Sequence, residues 1–397
     1  MKRRDVVKTC ILATSTVFGL LGCSAVNKHQ SNTANFNESM DIKPFQTDIY
    51  KFSTPLPFNY KLIEQIADYN SKLKKSKIIT LYNSVPLPLA DFLEGQFQSP
   101  RGINNSIKNL DVVFKYFRYA KELGFNVAYV LNSPKAFSGE VFEKLKDSLF
   151  FLLDKIYNAG CSSIKVANTQ LLDILATERP EFTISASTSF EYHNISQYTN
   201  LLASYPKIDI LNVATDVNHN FKFLKNLKNK FPNHPIELIV NENCIHGCPA
   251  RISHASDGFN CWNCVSLREK IGSLSFFCKA NIIFPWDLEY YSAIGINSFK
   301  TVSIPLRANI TNISYLTGYL DIVENGIKNV SAVDFFNSVF KIKNLKIKNN
   351  LPLADFIEDL PNIKHFIKYG DKCSYRCGIN CQYCAECGAR ISEKLLK

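Results

Sequence analysis

The chain has 397 residues, enough for two or three average domains or for one large α/β barrel with extensions. Hydrophobic residues make up 46% of it and charged residues 20%, which excludes a disordered or collagen-like protein, and no apolar run is long enough for a polytopic membrane protein. The net charge of +11 is compatible with RNA, an anionic membrane surface or an acidic small substrate, and it does not choose between them.

The first 23 residues have the pattern of a targeting segment. Arg3 and Arg4 precede an uncharged stretch from Thr9 to Gly22, and Cys23 follows directly. This pattern resembles a twin-arginine export signal joined to a lipobox, in which the cysteine is lipidated and becomes the mature N-terminus. We therefore expect an exported lipoprotein, anchored by its N-terminal lipid on the periplasmic face of a membrane. A start at Met40 would instead remove the signal and leave a cytoplasmic protein.

Residues 24–76 are the next predicted segment, a tether and lead-in to the folded body. Their first part, up to residue 39, is polar and rich in Asn and Ser, as flexible tethers are. From residue 77 onward, short β-branched runs alternate with amphipathic stretches, which is the pattern of parallel strands joined by helices. Seven strands are predicted, over residues 78–83, 126–131, 163–167, 182–187, 208–213, 236–241 and 298–304.

This alternation predicts an α/β fold of the TIM-barrel-like (β/α) type over residues 77–325, complete or distorted, followed by a helical and Cys-rich extension over 326–397. Barrel enzymes place their active sites at the C-terminal ends of the strands. Asparagine recurs at these predicted ends, which indicates a polar mouth for a substrate rich in oxygens or amides. The five are Asn83, Asn132, Asn168, Asn212 and Asn241, and Glu242 and Lys300 join them.

Ten of the thirteen cysteines fall into two sets of five at short spacings. Thiolates at such spacings can converge on zinc or on an iron-sulfur cluster, and disulfides are the alternative in an exported protein. An odd number in each set argues against full disulfide pairing and favours an iron-sulfur cluster. The first set is Cys244, Cys248, Cys261, Cys264 and Cys278; the second is Cys373, Cys377, Cys381, Cys384 and Cys387.

The second set contains the spacing Cys377-x3-Cys381-x2-Cys384, which looks like the cluster loop of radical S-adenosylmethionine enzymes. In those enzymes the loop follows the first barrel strand, whereas here it lies near the end of the chain. A second cluster, or a zinc ion that holds the tail together, is therefore the expectation for these cysteines.

Two blocks of the sequence resemble the peptidase U-32 family, the collagenase-like proteases. The first is VNENCIHGCPAR at residues 240–251, with His254 shortly after it, and the second is FPWDLEYY at residues 284–291, followed by Gly295 and Lys300. With the preceding βα units, the resemblance covers roughly residues 77–325. It implies a barrel-like fold with a 4Fe-4S cluster near the strand mouths, held by Cys244, Cys248, Cys278 and either Cys261 or Cys264.

The family carries a peptidase label, but the resemblance also implies oxygen-independent hydroxylation, the chemistry of its better understood members. We expect such a hydroxylase first, and a protease or a non-catalytic metal-containing lipoprotein as alternatives. Proton transfer would fall to Glu242, His246, His254 and Lys300, and Arg251 would bind substrate together with the five asparagines. An exported enzyme would act on a quinone-like, peptide or other small substrate, a cytoplasmic one on RNA, and a related partner subunit is a further expectation.

Overall fold

The computed structural model describes residues 42–45, 48–84, 110–135, 137–242, 244–248, 251–252, 277–302, 310–340, 351–373 and 382–396. Eight parallel strands form a closed barrel in the order in which they occur along the chain. Each strand pairs with the next, and the last pairs with the first, so the barrel has no free edge. The α/β TIM-barrel fold predicted from the sequence is confirmed.

Seven of the eight strands correspond to the predicted ones, and the first was missed. It lies inside the predicted lead-in, 24–76, so the barrel begins before residue 77. Its sequence, YKFSTP, ends in proline and shows no strict alternation, because five of its six residues are buried between two neighbouring strands. The strands are β1 (Tyr50–Pro55), β2 (Ser76–Asn83), β3 (Asn126–Leu131), β4 (Ser163–Val166), β5 (Thr183–Ala186), β6 (Ile208–Asn212), β7 (Ile236–Ile239) and β8 (Ser298–Lys300).

Helices between the strands bury one apolar face each against the barrel. The 20-residue helix after β3 is typical: Leu145, Leu149, Leu152 and Ile156 are buried at spacings of three and four residues, which places them on one side of the helix. The helices are α1 (Tyr60–Lys72), α2 (Leu110–Glu122), α3 (Gly139–Asn158), α4 (Thr169–Thr177), α5 (Ile195–Ser204), α6 (Phe221–Lys230), α7 (Leu288–Ser292), α8 (Ser314–Asn325), α9 (Ala332–Phe340), α10 (Ile363–Cys373) and α11 (Tyr383–Leu396).

The interior of the barrel contains a buried charged layer, where such barrels usually hold branched apolar side chains. The Lys165 ammonium lies 2.6 Å from a Glu237 carboxylate oxygen and also donates to Asn212, and the Ser53 hydroxyl donates to the other oxygen of Glu237. Burial acts to raise the pKa of Glu237, but the nearby Lys165 and Lys300 hold it below its usual value. Glu237 is therefore an ionised carboxylate inside the barrel.

The C-terminal extension shares one hydrophobic core with the barrel. The His219 ring, at the barrel, stacks on Phe366 of α10 with centroids 4.0 Å apart, and His365 of α10 stacks on Tyr383 of α11 at 3.7 Å. These contacts join the last two helices to the barrel. Among the described residues, no helix is both long and apolar enough to cross a membrane.

Candidate active site at the barrel mouth

Loops that follow β5, β6 and β7 bring acidic side chains together at the C-terminal end of the barrel. Glu191 ends a short 3-10 helix after β5, Asp216 lies in a second one after β6, and Glu242 follows β7. Glu191 has a φ of 50°, in the left-handed region that non-glycine residues seldom adopt and that is more frequent at functional sites. Three loops far apart in sequence thus form one acidic cluster.

Arg251 lies at the centre of this acidic cluster and is 5% exposed. Its Nε donates to Glu191 at 2.6 Å, and its Nη2 donates to Glu242 at 3.2 Å and to the Thr215 hydroxyl. The remaining nitrogen, Nη1, is buried, lies 3.8 Å from an Asp216 oxygen and makes no hydrogen bond within the described part of the chain. An unsatisfied buried N–H group is costly, so this nitrogen is a candidate donor to a bound oxygen atom.

Burial raises the pKa of the Glu191 carboxyl to about 7, although the Arg251 guanidinium acts to lower it. The neighbouring Asp216 and Glu242 carboxylates add to the rise, because like charges disfavour ionisation. A carboxyl group with this pKa exchanges a proton near neutral pH, which is the property that a general acid or base needs.

His193 lies beside Glu191 and Asp216, and one ligand atom from each of the three lies within 4.8 Å of the others. Burial lowers the pKa of His193, so its imidazole is neutral at pH 7, the form that binds metals. Two carboxylates and one imidazole are a donor set that suits a divalent transition metal. These residues could therefore hold such an ion.

His246 is held at the mouth by a hydrogen-bond chain. The Asn281 amide nitrogen donates to Asp216 at 2.7 Å, and the Asn281 amide oxygen faces the His246 Nδ1 atom at 2.9 Å. Because an amide oxygen can only accept, Nδ1 donates this hydrogen bond. The structure thus brings Glu242, His246 and Arg251 together, as the sequence-based hypothesis requires.

The five asparagines of the predicted mouth use their amides within the protein. Asn83 donates to a Leu56 carbonyl and accepts from Ser84, and Asn241 bonds twice to the Val302 backbone. Asn168 caps helix α4 by accepting from the Leu171 amide, and it donates to the Lys135 carbonyl. Asn212 bonds to Lys165 and Ser185 inside the barrel, and Asn132 donates to Ser189. Their contacts stabilise loops and strands, and substrate binding by them stays a prediction.

Lys300 is the last residue of β8, and its side chain is buried. Its ammonium sits 4.2 Å from the centre of the Tyr82 ring, and its charge acts on Glu237. Lys300 therefore contributes to the buried charged layer, and its catalytic role stays a prediction.

Apart from Cys161, which is buried against the Val127 carbonyl, the described cysteines lie in two places. The Cys244 thiol is at the mouth, 3.4 Å from a Glu242 oxygen, and Cys248 is half-buried nearby in sequence. Cys278 is buried and interacts electrostatically with Cys384 and Cys387 of helix α11, so it neighbours the second cysteine set. The other predicted site residues lie outside the described residues, or only their backbone is described: Cys23, His254, Cys261, Cys264, Cys373, Cys377 and Cys381.

Sequence reasoning missed Glu191, His193, Asp216 and Asn281. Glu191 and Asp216 follow predicted strands within a few residues, so a search for carboxylates just beyond each strand end could have found them. Asn281 carries no local signal, because it reaches the mouth from a segment that precedes β8 by many residues.

No family model matches the chain. In sequence, it is 21% identical over 306 residues to an uncharacterized protease from Methanocaldococcus jannaschii, which covers 73% of this chain and 82% of that protein. The chain is thus similar to a protein named as a protease. Among solved structures, it is similar to a U32 peptidase, with a TM-score of 0.45, 13% identity and coverage of 65% of this chain and 94% of the other. A homocysteine methyltransferase from Escherichia coli follows with a TM-score of 0.36, 13% identity and coverage of 66% and 93%.

Proposed function

We propose that this protein is a peptide-bond hydrolase of the peptidase U-32 type, acting at the acidic mouth of the barrel. The observation that carries this proposal is the pairing of Glu191, a carboxyl with a pKa of about 7, with Arg251, whose buried Nη1 makes no hydrogen bond. Together they offer a proton acceptor and an oxygen-binding donor in one place. The protease name of the relative is consistent with this chemistry.

In this proposal the ionised Glu191 accepts a proton from a water molecule, whose oxygen forms a bond to the carbonyl carbon of the substrate. The carbonyl oxygen becomes an oxyanion and accepts hydrogen bonds from Nη1 of Arg251. When the carbon–nitrogen bond breaks, the protonated Glu191 returns its proton to the leaving nitrogen. His246, whose Nδ1 is hydrogen-bonded to Asn281, lies at the same mouth.

As an alternative to Glu191 acting as the base, a divalent metal held by Glu191, His193 and Asp216 would supply Lewis-acid activation of the carbonyl group or of water. The ligand atoms are close enough for one ion, since all lie within 4.8 Å of one another. His193 would bind through a neutral imidazole, and Asp216 is kept in position by the Asn281 amide and the Gly247 backbone N–H.

The test is cleavage of an internally quenched peptide library and of denatured collagen by the full chain, with and without added Zn²⁺ or Mn²⁺. We expect Glu191→Gln to lower kcat/KM by about 10²–10⁴-fold, the usual contribution of a general base. The matched control is Glu140→Gln, because Glu140 is an exposed carboxylate on α3 that pairs only with Lys144. Equal activity in wild type and Glu191→Gln, or no cleavage by the wild type, would contradict the proposal.

A second candidate is the iron-sulfur hydroxylase that the family resemblance implies, and one observation favours it. The Cys244 thiol lies beside Glu242 and Arg251 at the same mouth where a substrate would bind, with Cys248 four residues further on. A thiolate next to a guanidinium is stabilised in its metal-binding form. These two cysteines would supply ligands to a cluster, and such a cluster would supply electron transfer when bound.

Anaerobic purification, with iron and acid-labile sulfide measured per chain, separates the two candidates. Iron and sulfide that disappear in Cys244→Ser, together with no peptide cleavage by the wild type, would favour the hydroxylase. Peptide cleavage that survives in Cys244→Ser would favour the hydrolase.

We also propose that a lipid on Cys23 anchors the protein. The signal pattern at residues 1–23 supports this step, and those residues lie outside the described ones. An exported enzyme would meet peptides of the cell envelope rather than RNA. Globomycin-sensitive processing and a mass increase at Cys23 are the expected results, and a cytoplasmic protein starting at Met40 would contradict this part of the proposal.

A further inference from the structure

We propose that the N-terminal end of the barrel binds a small organic anion, one that carries a phosphate or carboxylate group, in a cavity of about 320 Å³. Lys51, Ser163 and Ser298 line this cavity, and they lie at the starts of β1, β4 and β8. The cavity and the acidic mouth are therefore at opposite ends of the barrel, and the proposal does not rest on the hydrolase function.

The cavity is present because small polar side chains occupy the inward positions at the strand starts. In barrels of this type, bulky branched side chains usually fill the interior in layers. Ser163 lies two residues before Lys165, and Thr80 pairs in register with Ser53, so both hydroxyl side chains face the interior, as Lys165 and Ser53 do. Ser298 lines the same cavity. Side chains of this size leave the space that branched residues would fill.

The buried charged layer of the barrel forms the inner wall of the cavity. Lys165 and Glu237 both line it, and their side chains are 3% and 6% exposed. One oxygen of Glu237 accepts from the Lys165 ammonium and the other from the Ser53 hydroxyl. A ligand in the cavity thus meets an ion pair whose charges cancel, not a carboxylate that needs a cation.

Two further lysines give the cavity an excess of positive charge. Lys51 is exposed, and its ammonium makes no ion pair or hydrogen bond with the residues that the structure describes. Lys228 donates to the Pro232 and His234 carbonyls at 2.8 and 3.3 Å, which hold it in place without neutralising its charge. Against these two cations the described lining adds the carboxylate of Asp48. The cavity is therefore suited to an anion.

The lining also indicates the size and the polar groups of the ligand. A lysine ammonium can only donate hydrogen bonds, whereas the hydroxyls of Thr80, Ser163 and Ser298 can donate or accept. An oxyanion beside the lysines and hydroxyl groups beside the serines and the threonine would match this arrangement. The volume lies at the lower end of the range for ligand sites, about 300–1,000 Å³, so it suits a molecule of a few carbon atoms.

The test is isothermal titration calorimetry of the full chain in a buffer free of phosphate and carboxylates. The probes are glycerol 3-phosphate, D-glycerate and, as the uncharged control, glycerol. We expect saturable binding of at least one of the two anions and none of glycerol at the same concentration. Preference for glycerol 3-phosphate would identify a phosphate ligand and preference for D-glycerate a carboxylate ligand. No binding of either anion, or equally tight binding of glycerol, would overturn the proposal.

Two variants place the bound anion in the cavity. Lys51→Met removes an exposed cation and keeps its apolar stem, and we expect binding about tenfold weaker, as for loss of a hydrogen bond to a charged group. Ser163→Val fills part of the space and removes a hydroxyl, so it should also weaken binding. Lys225→Met is the matched control, since Lys225 is exposed on α6 and does not line the cavity. Unchanged affinity in both Lys51→Met and Ser163→Val would place the anion elsewhere and contradict the site.

A second measurement uses the wild type alone, so it does not depend on the folding of a variant. Exposed lysines are acetylated with a water-soluble reagent, and the extent at each lysine is read by mass spectrometry. The bound anion should slow acetylation of Lys51 and leave that of Lys225 unchanged. Equal acetylation of Lys51 with and without the anion would also overturn the proposal.

Discussion

At the scale of single residues, the guanidinium of Arg251 is surrounded by the carboxylates of Glu191, Asp216 and Glu242 at the mouth of the barrel. Arg251 donates to Glu191 and Glu242 through different nitrogens, yet burial, with a smaller effect from the nearby Asp216 and Glu242 carboxylates, keeps the pKa of Glu191 raised. The protonation state of Glu191 near neutral pH is thus set by its burial and by its neighbours.

From the raised pKa of Glu191 we predict how stability and activity change with pH. A carboxyl with a folded-state pKa of about 7 binds a proton more tightly in the folded than in the unfolded chain, so its contribution to stability is present below about pH 4.5 and is lost as the pH rises through 7. Activity should rise over the same interval, because the base form increases. Unfolding by urea from pH 4 to 8 should therefore show a weaker fall in stability for Glu191→Gln than for the wild type. Parallel pH profiles of the two proteins would contradict this assignment.

Removal of the Arg251 side chain is expected to destabilise the folded protein. Arg251→Met should lower the free energy of unfolding by about 3–5 kcal/mol, because it leaves buried carboxylates without their cation. Lys144→Met is the control, since its ion pair with Glu140 is exposed and should contribute about 0–1 kcal/mol. Urea denaturation at pH 7 measures both, and a loss for Arg251→Met no larger than the control would contradict the central role of this residue.

At the scale of secondary structure elements, asparagines cap the N-termini of four helices. Asn59, Asn168, Asn194 and Asn220 each accept a hydrogen bond from a backbone amide in the first turn of α1, α4, α5 or α6. In a βα barrel the helix start and the strand end share one loop, so a cap and a substrate ligand give the same sequence signal. Among the five asparagines of the predicted mouth, this ambiguity applies to Asn168, which caps α4.

Asn168 allows the two roles to be separated. Asn168→Ala should lower the free energy of unfolding by about 0.5–2 kcal/mol through loss of the cap, and Asn168→Asp should recover most of it, because aspartate caps equally well. Urea denaturation measures stability, and kcat/KM on the best substrate should stay unchanged in both variants. A large loss of kcat/KM with normal stability would instead support the sequence-based role in substrate binding.

At the scale of the whole molecule, buried ion pairing holds the barrel together across its interior. Lys165 on β4 and Glu237 on β7 meet at 2.6 Å, and both side chains are less than 10% exposed. The extension packs its helices on the same core, with aromatic stacks from His219 to Phe366 and from His365 to Tyr383. The barrel and extension therefore share a core, and we expect them to unfold together.

Because Lys165 and Glu237 form a buried ion pair, we expect the effects of mutating them on the free energy of unfolding to be strongly coupled. Lys165→Met alone should cost about 3–5 kcal/mol, because it leaves an uncompensated buried carboxylate. The double variant Lys165→Met/Glu237→Leu should cost less than the sum of the two single changes, since no charge is left unpaired. A double-mutant cycle by urea denaturation measures the coupling, and additive losses would contradict a direct buried pair.

The sequence predicted much of the fold because its signals are local. Short β-branched runs that alternate with amphipathic stretches identified seven of the eight strands. The strand β1 was missed because YKFSTP contains no Val or Ile and ends in proline, whereas the equally buried β7 has isoleucine at both ends. The cysteine sets and the block at residues 240–251 also indicated where a metal or catalytic site is expected. Two residues of the mouth followed from that block, because Glu242 directly follows a predicted strand and Arg251 ends the block.

The amino-acid sequence by itself determined the barrel, the polar residues at its strand ends and the two groups of cysteines, because periodicity and spacing are properties of neighbouring residues. Only the tertiary structure decided which of them meet. Glu191, Asp216 and Arg251 come together from separate loops, and Cys278 shares one hydrophobic core with Cys384 and Cys387 of α11. These contacts depend on barrel closure and on the packing of α11, which bring distant segments together for burial of apolar surface, and no local pattern encodes that pairing.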